Sequence, residues 1–410
     1  MLVLLVPVVF GLMGFAVDLG RLYMVRGELQ TAANAMALAG ATRLIGTDDS
    51  VDKASTAAES TGLESSGFQN RYDYGGRPVG DSQGDFTSTV EEPEFFETAT
   101  DATAGEQGAG NAGGTTAKHI RITVAADAPT LFWRFLPQAQ EGRTQVRVQA
   151  VAGISAPLCT ACGLDGIAIA ALDSADTTHF GFTLATRYTL GYVCNGPNQP
   201  QPLAGATQRI PYLIYNRLNE EAEIFADEGT QVFRIGAGGL PASNVEARSC
   251  AVVNSVEAVW TAASPLACAL PMQPQRVPAL VTNYLCGLGM RFESTPVTGC
   301  ESIAEVDTAS QAFLADTDTT DVEDYAAYTG TGRRVITVAI VDALGDPQAL
   351  TILGFRQFLI EPPANATNID ITDGNGRFNG LYIGSAMPLR QGRFSGCSIT
   401  AGPGKVVLHR

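Results

Sequence analysis

The chain opens with MLVLLVPVVFGLMGFAV, a run without a formal charge, and continues with no turn into DLGRLYMVRGELQTAANAMALAGATRLIG. An apolar segment that flows into a small-residue amphipathic helix leaves few options. Such a chain anchors in a membrane by its first residues, or it packs helix against helix in a fibre. An uninterrupted helix over Met1–Leu44 would span about 66 Å, its apolar part about 26 Å. The apolar part is slightly short of a ~30 Å hydrocarbon core. Past Asp18 the larger apolar side chains fall at Leu22, Leu29, Met36 and Leu44, with Ala33, Ala37 and Gly40 beside them. That spacing is helical. Arg21, Glu28 and Thr31 take another face. Gly46 ends the helix, and Asp48, Asp49 and Ser50 offer an N-cap for a second one.

Small side chains are dense in this stretch, including Gly11, Gly14, Gly20, Gly27, Ala33, Ala37 and Gly40. They let helix backbones approach closely, which drives association where water cannot help. A lone soluble helix with so many glycines would be poor. A helix surrounded by copies of itself would not. Gly11, Gly14, Asp18, Arg21, Ala33, Ala37 and Gly40 are therefore expected to form a helix-packing surface for assembly. Asp18 is expected to be buried among helices and paired with Arg21 of its own helix, or with Arg21 or Arg26 of another copy, because an unpaired charge in an apolar bundle is costly. Pro7 and the Gly11/Gly14 pair are natural kink points.

AVDLGRLY at Ala16–Tyr23, followed by LQTAANAMALAGA at Leu29–Ala41, resembles the N-terminal signature of TadE/TadG-like proteins of the bacterial tight-adherence (Flp) pilus. Two departures stand out. Asn34 occupies a position where the family pattern usually has Asp, and residue 5 is Leu where type IV pilins have Glu. Nothing basic precedes the apolar run and no A-x-A-like cleavage site follows it, so the run is not a standard signal peptide. Two readings stay open. A leader has been removed and Met1 is the mature N-terminus, or Met1 is the initiator of a signal-anchor protein.

The eight cysteines all lie after residue 158: Cys159, Cys162, Cys194, Cys250, Cys268, Cys286, Cys300 and Cys397. An even number confined to one part of the chain reads as disulfides in an oxidising compartment, with a connectivity that the sequence does not give. Cys159-x-x-Cys162 could also be half of a zinc site, but no second close pair or histidine accompanies it. The formal net charge is -16, from 26 basic and 42 acidic residues, which argues against a nucleic-acid partner.

The segments suggest an α+β protein: a long N-terminal hydrophobic helix followed by β-rich, disulfide-containing globular domains. The anchor or assembly helix is expected over residues 1–46. A small α+β domain with a Gly-rich loop at Ala104–Lys118 is expected over 47–157, and a larger β-rich, Cys-containing domain over 158–410. In the small domain, DDSVDKASTAAESTG predicts a short polar helix. Strands are predicted at His119–Ala126 and Thr144–Ile154, flanking an aromatic plug at Pro129–Leu136. Residues 155–165 read as a linker. In the larger domain, Ile167–Leu172, Arg333–Val341, Ala349–Ile360, Gly380–Ser385 and Lys405–Leu408 read as strands. Pro211–Ala226 and Val277–Met290 read as helices.

Signs of chemistry are sparse. The histidines are His119, His179 and His409, and only His179 has acidic neighbours, Asp173 and Asp176. No G-x-S-x-G elbow, H-E-x-x-H helix or phosphate loop is present. Two acidic loops offer oxygen ligands for calcium: Asp316, Asp318 and Asp321 in one, Asp370 and Asp373 in the other. Neither fits an EF-hand, so calcium is the one candidate cofactor and none is otherwise expected. No enzymatic activity is expected. The resemblance implies a pilin-like structural subunit of a surface filament, assembling through its N-terminal helix. The alternative is a membrane-anchored minor or accessory component of a tight-adherence pilus, with an adhesive role open to it. Expected partners are copies of the chain or other pilus subunits, and the membrane before assembly. The expected location is the cell surface or an extracellular filament, with inner-membrane anchoring beforehand.

Overall fold

The structure is a computed structural model that describes residues 2–63, 88–104, 111–129, 132, 143–192, 202–214, 250–258, 284–292, 324–344, 349–362, 368–369 and 376–409, with side chains of the first helix from Val9 onward. In chain order the elements are α1 (Leu2–Ala41), α2 (Ser50–Leu63), β1 (Ser88–Val90), β2 (Glu94–Phe96), α3 (Ala99–Thr103), β3 (His119–Pro129) and β4 (Arg143–Ile154). They continue with β5 (Thr160–Ala161), β6 (Ile167–Ala170), β7 (Arg187–Tyr192), β8 (Gln208–Ile214), β9 (Ala251–Val252) and β10 (Val256–Ala258). The last are β11 (Val335–Val341), β12 (Ala349–Ile360), β13 (Phe378–Gly384), β14 (Gly392–Arg393) and β15 (Val406–His409). The chain forms two compact units, one of residues 1–154 with 406–410, the other of residues 155–405.

The first unit is a helix on a sheet. β3 and β4 pair antiparallel in unbroken register from His119↔Gly153 to Pro129↔Arg143. Period-two alternation puts Ile120, Ile122, Val124 and Ala126 on one face with Val148, Ala150 and Ala152. That face receives α1, whose Val25, Leu29, Ala32, Ala33, Met36 and Ala37 are buried at helical spacing. Burying a side chain of Leu29's or Met36's size stabilises by about 1.5–3 kcal/mol. α2 packs on the same helix through Ala54 and Ala58. Its start is fixed locally: the Thr47 N–H donates to Ser50 Oγ at 2.8 Å, and the Thr47 hydroxyl donates to Asp49 Oδ1 at 2.8 Å. β1 and β2 pair in succession along the free edge of β3. β15 pairs antiparallel with the other edge of β4, from Val406↔Ile154 to His409↔Val151.

The second unit is built on a sheet in the order β10-β12-β11-β6-β8-β7-β13, and β13 also pairs with β12. That last pairing closes β12, β11, β6, β8, β7 and β13 into a ring, which removes free sheet edges. Two pairings are parallel, β11 with β6 and β7 with β8; the others are antiparallel. Every residue of β11 and β13 is buried. Strands covered on both faces read as continuous apolar runs, as VITVAIV does. One face carries an aromatic cluster in which Phe358 meets Tyr382 at 5.2 Å and Phe182 at 5.8 Å between ring centroids. The other face, with Val335, Leu359, Leu381 and Ile383, is covered by Tyr325 and Tyr328.

Most of the expected elements are present, within a few residues of their expected ends. Two expectations are corrected, for Pro211–Ala226 and for residues 155–165. The described part of Pro211–Ala226 is strand β8, not helix, and residues 215–226 lie outside the described residues. Ile210, Tyr212 and Ile214 favour a strand, and β6 and β7 flank it on its two sides. Val277–Met290 is helical where it is described, over residues 284–289, as expected; 277–283 lie outside the described residues. The segment 155–165 is not a loose linker: it carries β5, which pairs with β9 and β14, and disulfides from Cys159 and Cys162.

Candidate assembly surface

α1 changes character along its length. Buried residues fall in one stripe: Gly14, Asp18, Val25, Leu29, Ala32 and Ala33, then Met36, Ala37, Gly40 and Ala41. From Val25 onward that stripe is the core of the first unit. Before Val25 the helix exposes large apolar side chains on its remaining faces: Phe10, Leu12, Met13 and Tyr23 are each more than 60 % exposed. Val9, Phe15, Val17, Leu19 and Met24 are also exposed. Contiguous apolar exposure of this kind marks a surface built to meet another protein or a lipid phase.

The stripe is continued upward by Phe132. A Cβ placed on Gly14 would lie 2.7 Å from Cγ of the Phe132 ring, so glycine is what lets that ring sit against the helix. Four residues on, Asp18 is 1 % exposed, and its Oδ2 accepts a hydrogen bond from the Phe132 backbone N–H at 2.9 Å. The Phe132 side chain is half-exposed, while Trp133 and Phe135 of the aromatic plug lie outside the described residues. A further tie joins helix to sheet: Gln30 Nε2 donates to Asn34 Oδ1 at 3.0 Å and to the Gln149 carbonyl at 2.9 Å.

The expected packing residues therefore divide. Ala33 and Ala37 are fully buried within the chain's own core. Gly40 lies under Ile120, whose Cδ1 would stand 2.6 Å from an added Cβ. Gly14 is occupied by Phe132. Gly11, Gly20 and Gly27 have open space, with nothing within 4 Å of an added Cβ. Arg21 is half-buried and makes no ion pair among the described residues. No helix among the described residues is long and apolar enough to cross a membrane. Part of the apolar run, residues 1–8, precedes the described side chains.

In the second unit, Cys159 is bonded to Cys397 and Cys162 to Cys250. The C-x-x-C pair is thus divided between two disulfides and does not form half of a zinc site. Cys286 is also disulfide-bonded; Cys194, Cys268 and Cys300 lie outside the described residues. The acidic calcium candidates Asp316, Asp318, Asp321, Asp370 and Asp373 lie outside the described residues too. Among the described residues no three or more His, Cys, Asp or Glu side chains group as a metal site.

The charged groups buried in this unit are bound into the fold. Asp165 accepts from Arg291 Nη2 at 3.1 and 3.3 Å, and Arg187 pairs with Glu361. The Arg356 guanidinium lies over the Phe180 ring, 4.4 Å from its centroid, and donates to the carbonyls of Thr177 and Thr178. It thereby pins the loop in which Asp176 caps the Thr178, His179 and Gly181 amides. Those amide donors hold the Asp176 carboxyl below its usual range. His179 Nδ1 shares a 3.1 Å hydrogen bond with the Tyr382 hydroxyl, a contact that the sequence spacing did not announce. The Arg356, Asp176 and His179 contacts brace this loop, and no nucleophile–base pair emerges from them.

Residues 1–43 match the family model described as "Putative Flp pilus-assembly TadE/G-like". That match covers the helix and the turn after it. No curated protein and no solved structure matches the chain.

Proposed function

We propose that the chain is a pilin-like structural subunit of a bacterial surface filament, assembling through the exposed first half of α1. The observation that carries this reading is one continuous helix with two different environments. Its second half is the buried centre of the first unit, and its first half presents Phe10, Leu12, Met13 and Phe15 outward. A helix anchored rigidly at one end and apolar at the other can hold a subunit in a lipid phase. It can then exchange lipid for neighbouring helices without refolding, since close packing supplies the holding force. The similarity of residues 1–43 to a pilus-assembly family supports the same reading. The disulfide-bonded second unit suits an extracytoplasmic exterior.

A second reading is a membrane-anchored accessory component of such a pilus, with an adhesive role open to it. One observation favours it: Ala33, Ala37 and Gly40 are used within the chain's own core, so the small-residue surface beyond Val25 is not free for a polymer. An anchored component needs only the apolar segment. The two readings separate on cells producing the tagged chain. Sheared fibres composed mainly of this chain support the subunit. Retention in the membrane fraction, with fibres lacking the chain, supports the accessory component.

A further inference from the structure

On the sheet face turned away from α1, His119 of β3 and His409 of β15 meet across the intervening strand β4. Their rings are edge-on with centroids 4.9 Å apart. Gly153 of β4, the register partner of His119, makes this possible. A Cβ there would stand 2.1 Å from Cδ2 of the His119 ring. His119 is 6 % exposed, and its Nδ1 has no hydrogen-bond partner among the described residues. His409 Nε2 is likewise buried without a partner. Two imidazole rings in contact, each with an orphaned nitrogen, are unusual, because buried polar groups are nearly always satisfied by protein, water or an ion.

We propose that His119 Nδ1 and His409 Nε2 together seat one divalent transition-metal ion of the copper or zinc type, whose remaining coordination positions are filled by water or by a ligand from outside the chain. Metal–imidazole bonds are about 2.0–2.1 Å long, so two nitrogens on one ion lie within about 4 Å of each other. Rings this close can meet that spacing by side-chain rotation. Imidazole nitrogens suit copper or zinc better than hard, oxygen-seeking cations.

The test is titration of the full chain with Cu(II), read by electron paramagnetic resonance and by the shift in thermal unfolding. The expected result is one Cu(II) per chain with splitting from two imidazole nitrogens, and a raised unfolding temperature. His409→Gln, at a half-exposed strand end, is the deciding variant because it removes a ligand without opening the core. Its copper affinity is expected to fall at least about tenfold, with the circular dichroism spectrum unchanged. His179→Gln is expected to bind copper as the unsubstituted chain does. Absence of copper uptake by the folded chain, or uptake unchanged in His409→Gln, overturns the proposal.

Discussion

Asp18, on the first helix, holds the backbone N–H of Phe132 at 2.9 Å across 114 residues of sequence. The carboxylate is almost wholly buried, and the Phe132 ring closes over Gly14 one turn earlier. The relationship ties the upper half of α1 to the segment between β3 and β4, so the exposed face of the helix is presented from a fixed base. Asp18→Ala is expected to destabilise the first unit by roughly 1–3 kcal/mol, the usual penalty for stranding a partly buried donor. Asp18→Asn, which keeps an acceptor, is expected to lose less. Urea unfolding followed by helix signal checks the order, and equal losses would speak against the hydrogen bond as the cause.

The glycines of α1 make a second contrast. Gly20 has nothing within 4 Å of an added Cβ, and Gly40 meets Ile120 at once. Gly20→Ala is expected to stabilise the folded chain by about 0.5–1 kcal/mol through backbone entropy and helix propensity. Gly40→Val is expected to destabilise it by about 1–3 kcal/mol through overpacking. Thermal unfolding of the two variants decides. A Gly20→Ala chain that folds well yet fails to enter filaments would place Gly20 at a contact between copies.

The disulfides give a third expectation. Peptide mapping without reduction is expected to recover Cys159 with Cys397 and Cys162 with Cys250. Each bond closes a long loop, 238 and 88 residues in separation. The loss of each is expected to cost about 2–5 kcal/mol. Every cysteine lies outside residues 1–154 and 406–410. Reduction is therefore expected to speed hydrogen exchange in β6, β11 and β13 and to leave β3 and β4 protected. Equal loss of protection in both units would contradict this.

Acid is expected to weaken the first unit. Burial and the adjacent His409 lower the His119 pKa from its ordinary 6.5 to about 4 in the folded chain. The unfolded chain thus binds a proton at His119 that the folded chain refuses between those values. Stability is full above about pH 6.5 and declines as pH falls toward 4. Urea midpoints across that range, compared with a His119→Gln chain, check the assignment. An identical slope in both chains would mean that other groups carry the acid sensitivity.

Much of this architecture was legible in the sequence, and the reasons for the rest are physical. The alternation through Ile120, Ile122 and Val124 and the helical spacing of Leu29 and Met36 are local patterns, and β3, β4 and α1 follow them. Pro211 resembles a helix start, whereas the neighbours β6 and β7 decide for strand at β8. The closure of the β6–β13 ring and the return of β15 to β4 rest on long-range pairing that no local period encodes. The small residues of α1 were the least decidable. A glycine or alanine fits close packing equally well within a chain or between chains, and only the fold shows that Ala33, Ala37 and Gly40 serve the former.

The central claim is that the outward apolar half of α1 builds a filament, and the most direct measurement is the amount of this chain in sheared surface fibres when that face is altered. Cells producing the unsubstituted chain are expected to yield fibres in which it is the main protein by mass spectrometry. Phe10→Glu combined with Met13→Glu, both on exposed positions that leave the described core untouched, is expected to abolish those fibres while the chain remains folded. Fibres of normal yield from the doubly substituted chain would contradict the account.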